Sequence, residues 1–283
     1  MILFDINQIF LAALFEQIGA TRNQIIDITL VRHMILNIIR IYVKKFKSEY
    51  GPEIVLALDN RNYWRKKYFS NYKCGRKKSR DSSGYDWDAI FEALKIIREE
   101  FKEYCPYKVL DVDGAEADDI IATLTEKFAP FQKILILSSD RDFCQLQKYS
   151  NVDQYAPMQK KFIKEKNPEL ELKQKIIRGE KSDGIPSILS ADNVFVEGIR
   201  QKPILESKLV NWLNQSPEEF CNEEMLRNYH RNQTLIDFSK IPSEIKENIL
   251  NTYENTHGKS KQVFMNYMIK YNLKNLISDL NDF

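Results

Sequence analysis

The chain is poor in the residues that build cross-linked or metal-caged folds. It has four cysteines, Cys74, Cys105, Cys144 and Cys221, with no C-x-x-C pair. That argues against a disulfide framework and a cysteine zinc cage. Three histidines, His33, His230 and His257, are too few for a histidine-rich metal site. Glycine and proline number nine each among 283 residues, so collagen-like and low-complexity readings fall away. No apolar run reaches the roughly 18 residues of a membrane span. The opening Met1-Ile2-Leu3-Phe4-Asp5 lacks the layout of a signal peptide, so a cytoplasmic protein free of membranes is expected. With 43% hydrophobic and 29% charged residues, the chain can form one large α/β domain or two smaller ones.

The formal net charge of +2 hides a segregation. Residues 61–80 hold nine basic residues and no acidic one: Arg61, Arg65, Lys66, Lys67, Lys73, Arg76, Lys77, Lys78 and Arg80. Tyr63, Trp64, Tyr68, Phe69 and Tyr72 lie among them. Bases stack on aromatic rings while Lys and Arg track phosphates, so the window reads as a polyanion-binding arm. A solvated charged face is the plainer alternative, and the aromatics weigh against it. If helical, Arg65, Lys73 and Arg76 fall on one side of the arm. Ser82-Ser83-Gly84 marks its return.

Apolar runs at 1–4, 54–58, 108–110 and 134–137 read as buried strands. Helical spacing marks 27–48, 86–104 and 116–128, and a hairpin is expected over 152–164 around Pro157. Strands alternating with helices predict an α/β fold, a mostly parallel central sheet flanked by helices. The expected division is an α/β core over 1–170 and a helical part over 171–283.

The acids follow the strands. Asp5 and Asp59 end two runs directly, and Asp140 follows a third after two serines, with Asp142 two residues on. Glu116, Asp118 and Asp119 follow the remaining strand. In open α/β sheets ligands sit beyond the carboxyl ends of the strands, so folding gathers these seven carboxylates at one edge. Glu180 and Asp183 are further candidates. Taken singly, each acid has a bland reading as a cap or first-turn residue. Taken together they need neutralising, because two charges about 4 Å apart at an effective dielectric near 20 repel by roughly 4 kcal/mol. All-oxygen donors favour Mg²⁺ or Mn²⁺, and two such ions are a recurring clamp for phosphodiester hydrolysis.

Phe4-Asp5, Val31-Arg32-His33, Leu58-Asp59-Asn60, Tyr63-Trp64-Arg65 and Tyr72-Lys73 form an ordered series of motifs. Glu116-Ala117-Asp118-Asp119, Ser138-Ser139-Asp140-Arg141-Asp142-Phe143, Gln145-Leu146, Gly179-Glu180-Lys181-Ser182-Asp183 and Asn281-Asp282-Phe283 continue it. Through them the chain resembles the 5′-nuclease (flap endonuclease) family, most closely its bacteriophage branch, over nearly its whole length. The resemblance implies a 5′-nuclease, PIN-like core. It implies that Asp5, Asp59, Glu116, Asp118 and Asp140 surround a first metal, and Asp142, Asp183, Asp119 and Glu180 a second. Lys73, Arg76 and Asp118 are the implied catalytic residues. Arg65, Lys66, Tyr72, Lys73, Arg76, Lys77, Lys181 and Ser182 are the implied nucleic-acid contacts. A basic arch is implied at 61–84, and a helix–three-turn–helix element with a monovalent cation near 181–187. The implied activity is Mg²⁺-dependent, with Mn²⁺ as substitute: 5′ to 3′ exonuclease and flap cleavage on RNA–DNA and DNA duplexes, a ribonuclease H activity that clears lagging-strand primers. A sliding clamp and a single-strand DNA-binding protein are implied partners of a monomer, in a host cell's cytoplasm if a phage encodes it.

The sequence departs from the family pattern in places. Glu180 stands where aspartate is usual, which suggests an outer role. Ser182-Asp183-Gly184-Ile185-Pro186-Ser187 differs from cellular members, and the usual Gly-x-Gly hairpin is missing from 187–200. Asp5 lies almost at the first residue, so no docking extension is expected before the first strand. A haloacid-dehalogenase-like phosphatase needs Asp-x-Asp, and Asn7 occupies the second position, where it cannot transfer a proton. An inactive structure-specific DNA-binding protein is the other alternative.

Overall fold

The first apolar run shows no alternation because its strand is covered on both faces. In the computed structural model, which describes residues 1–21 and 25–283, β1 (Ile2–Asp5) is wholly buried. Parallel to it run β2 (Ile54–Leu58), β3 (Lys108–Asp111), β4 (Ile134–Leu137) and β5 (Val152–Ala156). β6 (Lys161–Ile163) pairs antiparallel to β5, completing the expected hairpin. The order is β3-β2-β1-β4-β5-β6, with Ile2 opposite both Ile54 and Leu135. β2 and β4 flank β1 on opposite sides, which places a topological switch point at its carboxyl end.

Helix α1 (Ile6–Thr21) leaves β1 without a loop. Periodicity does not flag it, because its apolar residues are not confined to one stripe. Helix α2 (Ile28–Tyr50) starts where the Asp27 side chain accepts from the Thr29 and Leu30 N–H groups, both at 3.0 Å. It stops at Gly51, whose φ of 87° suits glycine. The basic window folds as two short helices, α3 (Trp64–Tyr68) and α4 (Gly75–Asp81), before α5 (Trp87–Tyr104) and α6 (Ala117–Phe128). α7 (Pro168–Arg178), capped by Asn167, spans the division expected at 170.

The rest is helical, as expected: α8 (Glu206–Leu213), α9 (Pro217–Phe220), α10 (Glu223–Ile236), α11 (Ser243–Asn255), α12 (Lys261–Lys270) and α13 (Lys274–Ile277). These helices do not form one separate core. Ile249 of α11 joins the apolar cluster on one sheet face, and Phe264, Tyr267 and Phe283 join the other. A third cluster joins Ile176, Ile177 and Ile185 to Phe69 and Tyr72 of the basic window. Arg32 of the Val-Arg-His motif is structural. It forms a buried two-pronged pair with Glu100, both contacts at 2.7 Å, and Tyr267 donates to the same carboxylate at 3.0 Å.

Candidate metal centre and nucleic-acid surface

Two backbone ties set the acids at the switch point. Asp59, just beyond β2, accepts the Ala117 N–H at 2.8 Å, so the end of that strand caps the start of α6. The Ser138 hydroxyl donates to Asp5 Oδ2 at 2.9 Å and accepts the Asp140 N–H at 3.1 Å, bridging β1 and the turn after β4. Gln154 on β5 donates to the Ser138 and Asp140 carbonyls at 3.0 and 2.6 Å, pinning that turn from behind.

The acids divide into two groups by what neutralises them. Asp5, Asp59, Asp118 and Asp140 face one another, and none has an ion-pair partner among the described residues. Burial, then Asp59 and Asp140, pushes the Asp5 carboxyl up to about 7. Burial, then Asp140, Asp5 and Asp59, holds Asp118 well above the ordinary carboxylate range. Loss of water, then Asp142, raises Asp140. Glu116, Asp142 and Asp183 instead have cations of the chain. Glu116 pairs with Arg65 at 2.9 Å and with Lys73, Asp142 with Lys175, and Asp183 with Arg76 at 2.9 Å. Burial works to raise Asp183, but Lys73 and Arg76 outweigh it and hold its carboxyl below the usual range. As they stand, no three His, Cys, Asp or Glu side chains among the described residues converge tightly enough to ligate one ion. Mutual repulsion in the first group and inserted lysines in the second both act against convergence.

Three expected roles are not where the side chains lie. Arg65, expected on the nucleic-acid surface, is 3% exposed; it sits 2.8 Å from Asp119 and donates to the Leu235 carbonyl at 2.8 Å. It is the internal counter-ion of Glu116 and Asp119. Tyr72 is 4% exposed, its hydroxyl donating to Glu116 at 3.2 Å and Asp183 at 3.1 Å. Asp119, expected near the second metal, is fully buried. Its Oδ2 accepts from the Glu116 N–H at 3.0 Å and from Trp64 Nε1 at 3.2 Å, so it closes the first turn of α6. Lys66, Arg76, Lys77, Lys181 and Ser182 are exposed.

An open cavity of about 460 Å³ contains Asp118, Asp140, Asp142 and Asp183 together with Lys73 and Arg76. Lys175, Arg178 and Glu180 also line it, and Glu180 accepts from the Ser182 hydroxyl at 2.8 Å. Lys175 and Arg178 escaped the sequence reading. Their signal is a basic last turn directly ahead of Glu180. A larger groove of about 1160 Å³ runs from Asp59 along the arch past Arg61, Tyr63, Arg80, Trp87 and Phe91. No helix among the described residues is long and apolar enough to cross a membrane.

The chain matches known proteins in sequence and in architecture. The family described as "5′-3′ exonuclease, N-terminal resolvase-like domain" matches residues 1–175, and that described as "T4 RNase H, C terminal" matches 166–283. Ribonuclease H of Enterobacteria phage T4 is 38% identical, over 99% of this chain and 95% of that protein. The 5′-3′ exonuclease of Aquifex aeolicus is 29% identical over 63% of this chain and 62% of its own length. In architecture the chain matches the D15 protein of phage T5, crystallised with metal ions, at a TM-score of 0.61 and 14% identity, over 89% of this chain and 98% of that one. By these matches the chain belongs to the 5′-nuclease family of phosphodiester-hydrolysing enzymes.

Proposed function

We propose that this 5′-nuclease works with two Mg²⁺ ions, replaceable by Mn²⁺, and removes 5′ nucleotides and short flaps from RNA–DNA and DNA–DNA duplexes, as in primer removal from lagging-strand fragments. The carrying observation is the first carboxylate group: Asp5, Asp59, Asp118 and Asp140 crowd together with no cation of their own. Crowded oxygen-only donors fit a divalent cation and give a histidine-preferring metal nothing to bind. Ribonuclease activity in the phage T4 relative supports an RNA–DNA substrate. A flap endonuclease of phage T5, solved in a complex with DNA and metal ions, supports a duplex ligand.

Asp5, Asp59, Asp118 and Asp140, with Glu116 behind them, would hold the first ion. Asp142 and Asp183 would hold the second, with Glu180 outside them. When bound, such ions lower the pKa of attacking water and offset charge on the scissile phosphate. Lys73 and Arg76 line the cavity beside Asp118 and Asp183. There their side chains can donate to phosphate oxygens whose charge grows in the transition state. Exposed Lys66 and Lys77 would hold the 5′ strand, with the aromatic groove along the arch as its path. Lys181 and Ser182 would contact duplex phosphates, with a monovalent cation at 181–187. Residues 1–170 serve as the nuclease core and 171–283 as the duplex-binding part of a cytoplasmic monomer that meets a sliding clamp and a single-strand DNA-binding protein.

The test is cleavage of a 5′-labelled RNA–DNA strand annealed to DNA, with and without a short flap, in Mg²⁺ and in EDTA. Short 5′ products in Mg²⁺ alone are expected on both substrates. Retained duplex binding without cleavage would overturn the proposal in favour of an inactive binder.

A further inference from the structure

The two carboxylate groups differ in a way that bears on the order of binding. Among the described residues the first has no ion-pair partner, whereas each acid of the second pairs with a cation. Lys175, on the last turn of α7, pairs with Asp142, and the two side chains are only 18% and 22% exposed. Both line the same open cavity as Lys73, Arg76 and Arg178. Resting on the two-ion reading above, we propose that Lys175 is a built-in occupant of the second metal position, drawn off Asp142 by a substrate phosphate before that ion binds tightly.

An ammonium seated on Asp142 takes the oxygen a divalent ion needs and repels the ion as it approaches. Lys73 and Arg76 hold Glu116 and Asp183 in the same manner. A phosphodiester entering the cavity offers these cations a new anionic partner. Lys175 has a flexible four-carbon stem, so its head can exchange a carboxylate for a phosphate without moving α7. Asp142 is then free for the ion. The enzyme so built holds one divalent ion at rest and completes its pair on substrate, which restrains hydrolysis until a phosphate is seated.

The test is calorimetric titration of Mn²⁺ alone into the full, nucleic-acid-free chain, wild type against Lys175→Met. Wild type should bind one ion tightly and a second weakly. In Lys175→Met the second ion should bind about tenfold more tightly or better, which is about 1.4 kcal/mol. A short duplex with phosphorothioate linkages should tighten the second ion in wild type and do so much less in Lys175→Met. Lys175→Arg, which keeps the charge, should behave as wild type. If Lys175→Met does not fold by circular dichroism, Lys175→Gln is read against the same expectations. Second-ion binding unchanged or weaker in the neutral variant overturns the proposal alone, and Lys175 then orients Asp142. Wild type that binds no Mn²⁺, with or without duplex, overturns the two-ion reading and the proposal with it.

Discussion

Replacing Asp5 by asparagine should stabilise the metal-free protein and remove most of the stability that divalent ions add. Asp5 is 9% exposed, and its folded carboxyl is raised from 3.8 to about 7, by burial first and then by Asp59 and Asp140. The folded state therefore holds this proton more tightly than the unfolded chain does. The favourable contribution is full below about pH 4 and lost as pH rises to about 7, at up to about 1.4 kcal/mol per unit. Over the interval from 3.8 to about 7 the ionised side chain costs the fold at most about 4 kcal/mol. Local relaxation and water entry reduce this, so about 2 kcal/mol is expected. Asparagine has the same shape and can still accept from Ser138, which now donates at 2.9 Å.

The assay is urea unfolding in EDTA at about pH 8 and about pH 5, repeated with Mg²⁺. Asp5→Asn should gain about 2 kcal/mol at the higher pH and clearly less at the lower. Wild type should gain about 2.7 kcal/mol from an ion at a hundred times its dissociation constant, and the variant much less. A variant less stable than wild type in EDTA at about pH 8 would refute the electrostatic reasoning. An undiminished response to Mg²⁺ would remove Asp5 from the ligands.

Substitutions at three other positions separate structural from functional roles. Arg65→Met leaves buried Asp119 without its ion-pair partner and Glu116 with Lys73 alone, so a loss of about 3–5 kcal/mol is expected in denaturant unfolding. Arg65→Lys should not restore it, because an ammonium lacks the fork that also reaches the Leu235 carbonyl. Lys77→Ala removes an exposed cation; duplex affinity should weaken and its log–log salt slope fall by about 0.9, with unfolding unchanged. Gly184→Ala meets a φ of 69° and places a methyl 2.8 Å from the Asn71 carbonyl oxygen. It should cost about 1–3 kcal/mol and speed tryptic cutting after Arg76, Lys77, Lys78 or Arg80.

Strands β1, β2 and β4 were legible because each is short, apolar and buried on both faces, and acids lie at or just beyond their ends. Asp5, Asp59 and Asp140 lie at the switch point for that reason. Helix α1 was not legible: with Ile9, Phe10, Ala13 and Leu14 buried, it has no clean polar stripe to announce it. The basic window was legible in composition and misleading in detail. Charge alone does not distinguish Lys77, which is exposed, from Arg65, which is paired inside. That difference depends on Glu116 and Asp119, which lie far along the sequence. The Glu-Ala-Asp-Asp string divides likewise. One step along a helix turns a side chain by about 100°, so adjacent aspartates face different surroundings. Asp118 faces the cavity, while Asp119 turns back to the start of α6.

The arch and the loop around Asp183 are mechanically one piece, which explains why Tyr72 of the basic window is buried. Asp183 receives Tyr72 at 3.1 Å and Arg76 at 2.9 Å through its side chain, and the Lys73 N–H at 2.7 Å through its carbonyl. Lys73 takes a left-handed φ of 57° to make that contact, a conformation a non-glycine residue keeps only when its neighbours hold it. Asn71 donates to the Asp192 carbonyl at 3.0 Å, and Phe69 and Tyr72 share a cluster with Ile176 and Ile185. A displacement of 181–192 by duplex phosphates must therefore move the base of the arch or break several of these contacts together. The cations that guard the second carboxylate group lie on this joint, Lys73 and Arg76 on its arch side and Lys175 on the helix that leads into the loop. On the proposed mode of binding, duplex contact at 181–192 and release of Asp183 would follow from one shift, and these contacts would then couple phosphate binding to exposure of Asp183 by packing as well as by charge.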